Sequence, residues 1–272
     1  KGFKTNADIF KEAEEIMGKD FLGPQAIENT FGIHLESKDI PRIPFSNEDL
    51  ELAKGLSQFL ILRTDKAPDG GDLTPGKMAK ISNDPSSSII SSRKSAKAFK
   101  KEGMAKEVPL KGWALVSKMP LSYNTDIMSV NAKVIAYLKG IVFSRKEIPK
   151  EYEAAFKEYE SALDTLASIQ IKRFRGKGNK EEKNDIIKNL AITKLTEPSV
   201  SEVVYDSLVY ERNNGTRLYK QTAILTRSCS SSKGFVFAFS NGEDGRFYID
   251  FIDYFDSWKR SGTPGGILSR RS

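Results

Sequence analysis

The 272-residue chain contains a single cysteine and a single histidine. Cys229 alone excludes an internal disulfide. Together with His34 it also excludes the common zinc, haem and Cys–His catalytic sets, which need several such ligands at once. His34, between Ile33 and Leu35, reads as a packed or hydrogen-bonded residue, and Cys229, among Ser228 and Ser230, shows no neighbouring base that would activate a thiolate. No apolar run reaches the roughly 18–20 residues that cross a bilayer, so no membrane span is expected. Gly176-Lys177-Gly178-Asn179-Lys180 has the composition of a phosphate-binding loop without its Gly-x-x-x-x-Gly-Lys-Ser/Thr spacing, and reads as an ordinary loop. Asp69 and Asp72, like Asn241, Glu243 and Asp244, lie beside glycines but lack the ligand spacing of a calcium loop, and read as solvated turns. The sequence therefore predicts no catalytic group, no metal site and no cofactor, and the chain is not expected to be an enzyme.

What is present suffices for a core. Hydrophobic residues make up 39% of the chain and aromatics number 27, which excludes a disordered polymer, and the length suits a single domain over 1–272. The net charge of +7 is concentrated in two runs. In 93–106, Arg93, Lys94, Lys97, Lys100, Lys101 and Lys106 face only Glu102; in 172–188, seven basic residues including Arg173 and Arg175 face Glu181, Glu182 and Asp185. Both read as solvated loops or helix ends. The alternative function they define is nucleic-acid binding through phosphate attraction, although neither run carries the interleaved aromatics of a base-stacking surface. No signal peptide heads Lys1. The first residue is not Met, so a removed upstream segment and display on a surface both agree with the sequence.

Helix punctuation is clear. Apolar residues at spacings of three and four predict a helix over Asn6–Met17. Ser46 with Asp49 forms a capping pattern, with Phe45 and Leu50 as its hydrophobic staple, and Ser199 with Glu202 forms a second capping box opening a helix that closes near Asn213-Asn214-Gly215. Further helices are expected from Thr74-Pro75, over Ile127–Val142 and over Pro149–Ile169. Phe59–Leu62 and Gly112–Ser117 read as the two strands of this helix-rich part. Residues 84–108 read as a long, exposed basic insertion without a folded element. Beyond Gly215 the texture turns to β: Phe235–Phe239 alternates at period two, Arg246–Tyr254 continues as a β segment, and Ile267-Leu268-Ser269 supplies a last strand. The fold class is α+β, with the β elements gathered toward the C-terminus.

Residues 235–258 stand apart. They hold nine aromatics where an even spread predicts about 2.4, a net charge of −4, and no Lys although the chain has 30. Phe235, Phe237 and Phe239 suit one face of a buried strand. From Phe247 to Trp258 no single period separates rings from carboxylates, and aromatics mixed with Asp, Ser and Asn describe a recognition surface. The predicted ligand-binding residues are Phe247, Tyr248, Asp250, Phe251, Asp253, Tyr254, Asp256 and Ser257, with Phe235, Phe237 and Phe239 behind them.

This segment resembles the diversified region of variable proteins rewritten by diversity-generating retroelements, notably an archaeal and uncultivated-lineage group. In that family Asn codons (AAY) become NNY codons, which never encode Lys, Met, Glu, Gln or Trp; within 235–258 only Glu243 and Trp258 fall outside that set. The close Gly265-Gly266-Ile267-Leu268-Ser269-Arg270 is similar to the family's fixed Gly-x-x-x-Ser-Arg ending. The resemblance covers about the last forty residues in its motifs, and residues 20–80 and 110–145 in general pattern. It implies a C-type-lectin-like fold with short antiparallel β-sheets toward the C-terminus, and non-catalytic binding of a changing protein or surface-glycan ligand, by a chain expected to be monomeric. The Glu-Pro-Asn and Trp-Asn-Asp signatures of calcium-dependent sugar binding are absent from this sequence.

Overall fold

A computed structural model describes residues 5–82, 89–91, 103–121, 127–173, 185–187, 189–219, 222–230, 234–240, 247–251 and 268–271; for 89–91, 127, 167–173, 223, 229–230, 234–240 and 247–251 it describes the backbone alone. The chain starts with α1 (Asn6–Met17), whose N-cap Thr5 exchanges hydrogen bonds with Asp8. Strand β1 (Phe21–Leu22) and α2 (Pro24–Phe31, with Pro at its first position) lead to α3 (Asn47–Gly55). Strand β2 (Gln58–Arg63) is buried at all six positions, its apolar run Phe59–Leu62 flanked by the buried polar residues Gln58 and Arg63. After α4 (Pro75–Ile81) come β3 (Ile89–Ser91) and β4 (Gly112–Ser117). Helix α5 (Ile127–Tyr137) ends in a single π turn over Leu138–Val142, and the long α6 (Lys150–Arg173) and short α7 (Ala191–Thr196) follow. Helix α8 (Val200–Asn214) closes on Gly215, whose φ of 63° is the left-handed conformation that glycine adopts freely. Four strands complete the described chain: β5 (Ala223–Ser230), β6 (Gly234–Ser240), β7 (Phe247–Phe251) and β8 (Ser269–Arg270).

The class is α+β, as expected, and the strands form two four-stranded sheets ordered β1-β2-β4-β8 and β3-β7-β6-β5. Three expectations need correction. Both sheets are mixed and not antiparallel throughout, because β1 joins β2 in parallel and β3 joins β7 in parallel. Among the described residues four strands, not two, precede α8. And 84–108 is not wholly an exposed excursion: Ile89–Ser91 enters the second sheet, and Met104 is buried. The basic composition of that stretch hid a short Ile-Ile-Ser strand that finds its partner far along the chain.

Helix α8 is the centre of the molecule. Val200 to Tyr210 are all buried, since the helix is packed by α2, α4, β1, β5 and β6 around its circumference. Phenolic hydroxyls tie it to the first sheet, Tyr205 donating to the Leu62 carbonyl at 3.1 Å, while Tyr219 just beyond the helix donates to that of Ser117 at 2.8 Å. One apolar cluster surrounds α8 and the first sheet and includes Ile224 of β5. A second gathers α5, α6 and α7 around Leu225 and Leu268. Strand β5 thus bridges both, because its successive residues lie on opposite faces.

Candidate functional site

The register of the second sheet sorts the predicted ligand-binding residues by face. Phe237 stands opposite Leu225 on one side and Asp250 on the other; Phe239 stands between Ala223 and Tyr248; and Tyr248 lies beside Ile90. Directly paired residues share a face, so Phe235, Phe237, Phe239, Tyr248 and Asp250 form one set. Val236, Ala238, Phe247, Ile249 and Phe251 form the other, on the face to which Ile224 belongs. The structure therefore brings together the Phe triplet with Tyr248 and Asp250, and separates Phe247 and Phe251 from them. Phe247–Phe251 pairs as a strand within the β segment expected over Arg246–Tyr254, and its rings and carboxylate divide between the two faces. Asp253, Tyr254, Asp256 and Ser257 lie outside the described residues.

The other sequence candidates resolve as follows. His34 is not packed: its side chain is largely exposed, with Nδ1 3.5 Å from a Glu28 carboxylate oxygen. Two chain neighbours that are apolar did not make the site apolar. Asp69 and Asp72 are exposed and each bonded to a lysine, Lys77 and Lys66, as solvated turn carboxylates would be. Asn241, Glu243 and Asp244 lie outside the described residues, as do Lys97, Lys100 and Arg175; Arg173 ends α6. Among the described residues no three His, Cys, Asp or Glu side chains gather as metal ligands, and no helix is long and apolar enough to cross a membrane.

Sequence reasoning missed a buried polar centre at the start of α8. Its hub is Glu202. This residue closes the capping box, with Ser199 N–H donating to Oε2 at 2.7 Å and Glu202 N–H donating to Ser199 Oγ at 3.1 Å. The same Oε2 accepts from Arg227 at 2.5 Å and from Arg271 at 2.6 Å, while Oε1 accepts from the Leu110 N–H and lies 3.4 Å from Arg63 Nη1. One helical turn on, Asp206 takes a two-bond fork from Arg63, at 2.8 and 2.5 Å, and Arg63 also donates to Ser269 Oγ at 3.0 Å. Glu202 and Asp206 have no exposed surface.

Burial opposes charge on Glu202, yet Arg63, Arg271 and Arg227 together hold its carboxyl well below the usual carboxylate range. Burial pushes the Asp206 carboxyl up against the pull of Arg63. The bidentate fork is nevertheless the geometry of an ionised pair, and the Arg63 guanidinium is held firmly charged by Asp206 and Glu202 against its own burial. Burial pulls Arg271 down to about 10, with Glu202 opposing. Two further acids complete the neighbourhood. Glu107 accepts from the Ser228 hydroxyl at 2.7 Å, and burial raises it despite that bond. Glu197, with neither carboxyl oxygen hydrogen-bonded, is driven well above the ordinary carboxylate value by burial, Arg227 opposing.

The local fold explains why these groups meet. A bulge in β5 sets the residues between Leu225 and Cys229 out of register with β6. It turns Arg227 from the ladder toward α8, so that its N–H donates to the Pro198 carbonyl at 3.0 Å and its guanidinium to that of Glu197 at 2.6 Å. Ser228 Oγ then accepts from the Val200 N–H at 2.9 Å, satisfying another free donor of the first helical turn. Chemically, the centre holds chain segments together; every cation in it is matched to a carboxylate or carbonyl.

A second capping box, at α3, borders a cleft of about 780 Å³ lined in part by Ser46, Asp49, Leu52, Ile141 and Lys146. Asp49 accepts there from Lys146 and, at 3.4 Å, from Arg270. No family model, no curated protein and no solved structure matches the chain.

Proposed function

We propose that the protein is a non-catalytic ligand-binding protein of C-type-lectin-like fold, whose 235–258 segment is exchanged by a retroelement to recognise changing protein or surface-glycan partners. The observation that carries the reading is a division along the last forty residues. The aromatic, acidic, Lys-free segment is followed by Ser269 and Arg270, which pair with Val116 and Leu115 of β4, are both buried, and sit against Arg63 and Asp49. An ending that must be kept belongs in such a place. A segment meant to vary belongs where exchange is cheap, since substitutions at exposed positions commonly change stability by no more than about 0.5 kcal/mol.

The candidates divide between the two faces of the second sheet. Phe235, Phe237, Phe239, Tyr248 and Asp250 lie on the face of the buried Leu225, and Phe247 and Phe251 on that of Ile224; aromatic residues and carboxylates are the residue types that give large contact area with a charged handle. Sequencing the locus across a population tests the proposal. Sibling genes should differ almost wholly within 235–258, at codons traceable to AAY in an adjacent near-copy, and Ser269, Arg270, Arg63 and Glu202 should not change. Differences scattered evenly along the gene would end it.

A further inference from the structure

Between Arg227 and Arg271 the chain leaves the α8 centre, builds β6 and β7, and returns to it. Both arginines donate to the same oxygen, Glu202 Oε2, at 2.5 and 2.6 Å. Their remaining donors reach the chain just before α8: Arg227 to the Glu197 carbonyl, Arg271 to those of Lys194 and Glu197. The departing and returning strands are thus clasped at one point by one carboxylate, which is itself fixed by the helix cap through Ser199.

From this geometry we infer that Glu202 is the positioning residue of the whole excursion, coupling its two ends so that loosening either one loosens the other. The physical reason is the shared oxygen. Each guanidinium helps keep that carboxylate ionised and in place for the other, and two like-charged groups remain side by side only while it does so. A loop whose ends are held together by its base also needs no fixed interior to stay closed, because the closure entropy is met at the clasp.

In its consequence for recognition the inference rests on the proposed function, because it says how the exchanged segment is held. Its mechanics need no ligand. The test is hydrogen–deuterium exchange on the full chain, comparing wild type with Arg271→Gln and Arg227→Gln. Arg271→Gln should accelerate exchange about tenfold or more at 268–271 and also at 223–230, and Arg227→Gln should do the same at both ends. The double variant should exceed either single one by less than their product, as residues sharing a partner do. Should either glutamine variant fail to fold, Arg271→Lys and Arg227→Lys keep a cation at each end and should give the same two-ended pattern at smaller amplitude. Acceleration confined to the altered end would overturn the inference, and so would equal acceleration of 6–17 in α1, which makes no contact with the clasp and would report general loosening of the core. A locus without AAY-derived variation would defeat the proposed function and leave the clasp standing; one-ended exchange would do the reverse.

Discussion

Helices α3 and α8 open with the same motif and meet opposite fates. Ser46 with Asp49 and Ser199 with Glu202 are both complete capping boxes, each with reciprocal bonds between cap and third residue. Both carboxylates also reach out to the chain's end, Asp49 to Arg270 and Glu202 to Arg271, so adjacent arginines are gripped by different helix starts. The difference is water. Asp49 borders an open cleft, keeps 15% of its side-chain surface, and takes Lys146 as its strong partner. Glu202 has no exposure and must be matched by three arginines, because a buried carboxylate without partners is severely destabilising. A capping box guarantees a helix start; burial decides whether it also becomes a structural hub.

The largest test of this contrast is Glu202→Gln against Asp49→Asn. The first leaves the fully buried Arg63 and the largely buried Arg227 and Arg271 around a neutral amide and should cost about 3–5 kcal/mol, as breaking a buried pair does. The second weakens a cap and a partly solvated pair and should cost about 1 kcal/mol. Denaturant unfolding reads both; equal losses would show that burial does not separate the two sites.

The pH dependence of stability sharpens the comparison further. Glu202 and Asp49 lie below their ordinary values, so each contributes fully above the normal carboxylate range and loses that contribution as the pH falls through its lowered value. Glu197 and Glu107 are raised, so the folded state keeps protons that the unfolded chain has released. Their contribution is complete in acid and disappears as the pH rises through the raised values. Glu197→Gln should therefore flatten the loss of stability as the pH rises above the ordinary carboxylate range and leave the more acidic limb unchanged. Unfolding midpoints across a pH series check this, and an unaltered rising-pH limb would refute it.

The sequence makes the two helix starts equally legible and their difference invisible. Capping chemistry is local: cap, third residue and staple lie within six positions, so both boxes, the α8 terminus at Gly215 and the apolar β2 run are readable from neighbours alone. The Glu202 hub is assembled from residues 63, 110, 227 and 271, brought together by strand order and by a bulge that no neighbour pattern announces. A signal was nonetheless present. Glu202 and Asp206 sit four apart on a helix rich in Val, Tyr and Leu, and Arg63 closes the apolar run Phe59–Leu62; acids and bases in such settings require each other. The same limit explains Ile89–Ser91, whose partner strand lies far along the chain.

The smallest expected effect is the most exacting for the comparison. Lys146 bonds Asp49 and lies over the Phe143 ring, 5.4 Å from its centroid, but its side chain is 40% exposed. An exposed ion pair contributes about 0–1 kcal/mol, with a cation–π contact at such a site adding about 0.5 kcal/mol, and salt screens much of both. Lys146→Ala should accordingly lower stability by no more than about 1 kcal/mol, and the loss should shrink as salt is raised. Asp49 would keep its capping role through Ser46 and its contact with Arg270. A loss of about 3 kcal/mol that persisted in high salt would mean that Asp49 behaves as a desolvated hub of the Glu202 kind, despite the cleft beside it. The rule that water separates two otherwise identical helix starts would then have to be abandoned.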